Sequence, residues 1–108
     1  MTDPALARDL TEERARLKER VCVSFTARDF RAGVAPLCRL LLLETRGPER
    51  AVLLSLLALA HAQSGRRANA ERALRDARRL ATEARGRAAV RLVGDVLGLS
   101  SGTEASRT

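Results

Sequence analysis

A chain of 108 residues holds one domain with a modest core, and a hydrophobic share of 45% argues against disorder along its whole length. Phe25 and Phe30 are the only aromatic residues, so Leu, Ala and Val must build that core; this composition favours helices and speaks against a sheet, whose usual β-branched and aromatic residues are scarce. The formal charge is +7, with arginine at every basic position but Lys18, which favours acidic partners and, with so much Ala, Gly and Leu, fits GC-rich coding in a bacterium.

The first residues, MTDPALARDLTEER, mix charged and apolar side chains and do not form the apolar core of a signal peptide. Asp3-Pro4 is a helix start, with a second possible cap at Asp9 and Glu12. Leu6, Leu10, Leu17, Val21 and Phe25 then trace one stripe at helical spacing, and the first helix ends near Ala27. Gly33 and Pro36 complicate the next start, so the second helix is placed from about Val34, with Pro36 in its first turn, and Gly47-Pro48 stops it. The third helix runs from about Pro48 to Ser64. Its apolar stretch from Ala51 to Ala62 falls well short of the roughly 20 residues that cross a bilayer. Past Gly65, a fourth helix over about Arg67 to Ala84 buries Ala70, Ala73, Leu74, Ala77, Leu80 and Ala81. A fifth runs over about Arg87 to Leu97 and stops at Gly98. Its apolar residues Val90, Leu92, Val93 and Val96 cover more than one face, which implies either a deep cleft or an interface with a second chain. Short connections make neighbouring helices antiparallel. The organisation read from this is a partly ordered segment over 1–9, a helical domain over 10–98 and a disordered polar tail over 99–108.

Residues 51–84 are similar to one tetratricopeptide repeat, a helix–turn–helix of about 34 residues. Leu57-Ala58 matches the large–small pair of the first helix, His61 stands where an aromatic is usual, Gly65 lies at the turn, and Ala70, Leu74 and Ala77 match the small–large–small series of the second helix. Thr82 replaces the customary proline. Residues 14–46 resemble a degenerate repeat, and the fifth helix a half repeat. The resemblance implies an all-α fold of about five helices, stacked as antiparallel hairpins into a short right-handed solenoid. The string GPERAVLLSLLALAHAQSG also resembles the middle of small needle-subunit chaperones of bacterial type III secretion. Such repeats bind through the inner faces of their first helices. By resemblance the partner-binding positions are Lys18, Cys22 and Phe25, then Ser55, Leu59 and Ala62, then Ala89 and Val93. They suit an amphipathic partner helix laid in an apolar groove with a basic edge.

No set of residues points to catalysis, and neither a phosphate-binding glycine loop nor a dinucleotide fingerprint occurs. No cofactor or metal is implied, since His61 is the only histidine and reads as a core residue bonded to a backbone carbonyl. Cys22 and Cys38 read as buried free thiols of a cytoplasmic protein. The alternative function is nucleic-acid binding through the arginines of residues 66–91. Against it stand the charge alternation of Glu71 with Arg75, Arg72 with Asp76 and Arg79 with Glu83, and the lack of aromatic stacking platforms.

Overall fold

The computed structural model describes residues 4–98. Its helices are α1 (Pro4–Thr26), α2 (Phe30–Leu43), α3 (Gly47–Gln63), α4 (Arg67–Leu80) and α5 (Ala84–Leu97). No strand occurs among the described residues, so the chain is all-α. The tail expected to be disordered lies outside the described residues.

α1 has 23 residues and α2 only 14, and this mismatch decides what α1 buries. Arg39 of α2 pairs with Glu13 at 2.9 Å, and Arg14 donates to the Leu43 carbonyl at 2.7 Å. The end of α2 therefore meets α1 at these residues, and the turns before them have no helix to pack on. Leu17, Val21 and Ser24 are buried, whereas Leu6 is exposed and Leu10 only half-buried. The stripe expected along the whole of α1 is covered only in its second half.

Between α1 and α2, Arg28 takes a left-handed conformation with φ 59°, and the Ser24 hydroxyl donates to the Asp29 carbonyl. Asp29 caps α2 by accepting from the Ala32 N–H at 3.4 Å. This cap starts α2 a turn earlier than Val34, so Pro36 lies inside the helix and not in its first turn. Its missing N–H leaves the Ala32 carbonyl without the usual donor. The ring is fully buried, and that packing offsets the loss. Gly33 brings the hairpin together: a Cβ there would lie 2.9 Å from Phe25 Cε1, in the place taken by the ring that meets Phe30 edge-on at 5.1 Å.

α3 is the axis of the molecule, packing against α2, α4 and α5, whereas α1 comes close only to α2. It contributes to both halves of the core. Leu57 and Ala60 join Leu17, Val21, Leu37 and Leu40 on the α1–α2 side. Leu54 and Ala58 join Ala70, Ala73, Leu74, Ala77, Val90 and Val93 on the other. Leu37 and Leu74 are completely buried, each contributing about 1.5–3 kcal/mol by leaving water. At the α3–α4 turn, Gly65 has φ 80°, a conformation that costs a side-chain-bearing residue about 1–2 kcal/mol.

α4 stops at Leu80, short of the expected Ala84, and α5 begins at Ala84, ahead of the expected Arg87. No glycine or proline marks this break. Packing makes it: Leu80 and Ala81 lie on the core, and a Cβ at Gly86 would sit 3.4 Å from that of Ala51. Arg87 satisfies the freed Thr82 carbonyl at 2.8 Å. α5 thereby lies beside α3 and parallel to it. Arg85 meets Glu49 at 3.5 Å near both helix starts, while Ala62 and Leu97 pack on the same cluster near both ends. Facing positions are about one repeat length apart in sequence. The matching approach of α1 to α3 is absent among the described residues.

Candidate interaction surface

The apolar residues of α3 divide between its neighbours. Leu53 and Leu56 lean on the α1–α2 cluster, and Leu59 and Ala62 on the α4–α5 cluster. Along the seam run Val52, Leu56 and Leu59, all half-buried. Their spacing places them on one helix face. None is covered as fully as Leu54, Leu57 or Ala58, which face neighbouring helices.

Of the residues expected to bind a partner, two are removed from any surface. Ser55 is fully buried and donates to the Ala51 carbonyl at 2.8 Å, closing a local bond within α3. Val93 is buried on α5, packed into the α3–α4–α5 cluster. Both were placed on an inner face, but Val93 is taken up by the α3–α4–α5 cluster and Ser55 is enclosed within the fold. Phe25 is half-buried and engaged with Phe30 and Gly33 inside its own hairpin. Lys18 and Cys22 are exposed on α1, which is not brought against α3. Leu59 and Ala62 remain half-buried beside the seam, and Ala89 is half-buried on α5. The eight positions therefore do not form one continuous groove. Val52 and Leu56 were missed, although they belong to the same helix face as Leu59. An all-round apolar helix gives no sign in sequence of which stripe its neighbours leave uncovered.

Cys22 and Cys38 are free and exposed, correcting the expectation of buried thiols. They sit on the outer faces of α1 and α2, whose inner faces are filled by Leu17, Val21, Leu37 and Leu40. His61 is buried, but its Nδ1 has no hydrogen-bond partner, so the expected carbonyl bond is not made at that atom. Burial, aided by the charge of Arg66, holds its pKa below the usual 6.5.

On α4 the acids choose partners other than those expected. Arg67 meets Glu71 at 3.4 Å and Arg79 pairs with Asp76, leaving Arg72 and Arg75 exposed and outside any ion pair among the described residues. An open pocket of about 550 Å³ lies between α1 and α2, lined by Arg16, Arg20, Val23, Ala27 and Ala32 among others. No group of His, Cys, Asp or Glu able to hold a metal ion occurs among the described residues. No described helix is long and apolar enough to cross a membrane.

No family model, curated protein or solved structure matches the chain. The positions that carry the tetratricopeptide resemblance have a direct physical description instead. Leu57, Ala58, His61, Ala70, Leu74 and Ala77 are all buried, and Ala58, Ala70 and Ala77 have no exposed surface. Side chains this small let α3 and α4 approach closely.

Proposed function

We propose that the chain is a protein-binding module that receives an amphipathic helix of another protein along the half-buried strip Val52–Leu56–Leu59. The observation that carries this reading is the strip itself, an apolar line on the central helix between two packed clusters. A partner helix laid there buries its own apolar face, and the many arginines of the surface meet acidic side chains at its edges. An adaptor or chaperone role follows, and the resemblance to small secretion chaperones makes a needle-type subunit the narrower form of the proposal. The cytoplasmic, bacterial setting belongs to the same reading.

The test is affinity capture with the wild-type chain, Leu56→Glu, Leu59→Glu and Leu42→Glu. Leu42 is 76% exposed on α2, so its variant controls for added charge alone. The seam variants are expected to lose their partner while keeping the wild-type helical circular dichroism, and Leu42→Glu to retain it. Partners kept by both seam variants would reject this surface. The exposed Arg72 and Arg75 favour a second reading, in which the α4 face binds nucleic acid. Binding of random duplex at low salt, falling steeply as salt rises and lost in Arg72→Glu/Arg75→Glu, would support that reading instead.

A further inference from the structure

The strip Val52–Leu56–Leu59 does not end alike in its two directions. Three residues before Val52, Glu49 stands on the same face of α3, and its carboxylate is taken up by Arg46 at 3.8 Å and Arg85 at 3.5 Å. Charge at that end is matched within the fold. Four residues beyond Leu59, Gln63 is exposed on the same face and lines a pocket of about 300 Å³ with Arg28, Asp29, Phe30, Arg31 and Ser64. Arg28 and Arg31 are exposed, and neither guanidinium has an ion pair or hydrogen bond among the described residues. Asp29 offsets part of their charge, but its carboxylate is engaged as the cap of α2, accepting from the Ala32 N–H at 3.4 Å. The last turn of α3 does not use the arginines either. Its Ala60, His61 and Ala62 carbonyls accept from the N–H groups of Ser64, Arg66 and Gly65.

The hairpin itself sets this pair of cations beside the strip. Arg28 sits in the left-handed link between α1 and α2, and Arg31 in the first turn of α2, whose partial positive charge adds to theirs. A carboxylate brought there gains charge-assisted N–H donors from two guanidinium forks, whereas an ammonium meets like charge. We infer that the partner helix lies on the α3 strip in one direction only, with an acidic end seated in the Arg28–Arg31 pocket beyond Gln63. This inference rests on the proposed α3 strip and adds to it an orientation and a recognition pattern. Apolar side chains at three- and four-residue spacing cover Val52, Leu56 and Leu59, and aspartate or glutamate follows about one turn further along.

Amide NMR of the full chain tests the orientation. The probe is a designed helical peptide with a leucine stripe, glutamates at one end and a nitroxide label at that same end. Glu49 and Gln63 lie roughly 20 Å apart along α3 at 1.5 Å per residue, so the label tells the two directions apart. The peptide is expected to shift Val52, Leu56 and Leu59 and to broaden Phe30, Gln63 and Ser64, leaving Glu49 sharp. Arg28→Glu/Arg31→Glu changes two exposed positions, and its amide spectrum checks that the fold is kept. This variant should bind the peptide about tenfold more weakly and prefer one that ends in lysines. The inference is overturned if the peptide covers the strip with equal broadening at both ends, if Glu49 is the end that broadens, or if the double variant binds as the wild type does. Absence of any shift along the strip would reject the α3 reading itself, and the inference with it.

Discussion

His61 shows how one buried side chain ties stability to pH. Its folded pKa lies below 6.5 because desolvation and Arg66 disfavour the charged ring. The unfolded chain therefore takes up a proton as pH falls through 6.5 while the folded chain does not, and stability declines with acidification in that window. The melting temperature should drop from pH 7 towards pH 5, and His61→Gln should flatten that slope. Glu44 acts lower on the scale. The Arg46 N–H holds its carboxylate below the ordinary 4.5, so its contribution is lost only under more acidic conditions. At the same scale, Leu74→Ala should cost about 2–5 kcal/mol in denaturant unfolding, the range for emptying a closed core site. Leu42→Ala on the open face should leave the midpoint almost unchanged. Cys22 and Cys38 should both react with a thiol reagent in the native protein, without denaturant, because both are exposed.

At the scale of single helices, much was legible because local signals and packing agree. Gly65 ends α3 in a positive-φ conformation, and Gly65→Ala should lower stability by about 1–2 kcal/mol, measured by chemical unfolding. The Ala70–Leu74–Ala77 pattern announced the buried face of α4, and those residues are buried. Boundaries failed where tertiary contacts overrode the local code. Pro36 reads as a first-turn residue until Asp29 is recognised as the cap. The α4–α5 break carries no stop residue at all, and depends on Gly86 reaching Ala51. The candidate site was legible only in part for a related reason. Leu59 could be chosen from helical spacing, but Ser55 and Val93 were lost to burial, Val93 in the α3–α4–α5 cluster whose register no single helix encodes.

For the molecule as a whole, the central fact is the position of α3 between two clusters, flanked by α2, α4 and α5. The α3–α5 pair runs parallel with Ala51 against Gly86, whereas α1 reaches α3 only through the side chains of the shared Leu17–Val21–Leu57–Ala60 cluster, among the described residues. In the proposed reading, the apolar strip on the central helix receives a partner helix whose acidic side chains meet the arginine-rich surface. Site-directed photo-crosslinking tests this most directly, with a photoreactive side chain placed at Leu56 in one variant and at Arg75 in another. Leu56 is expected to crosslink to a protein partner, and Arg75 is not. Crosslinks formed only from Arg75, or only to nucleic acid, would contradict this expectation.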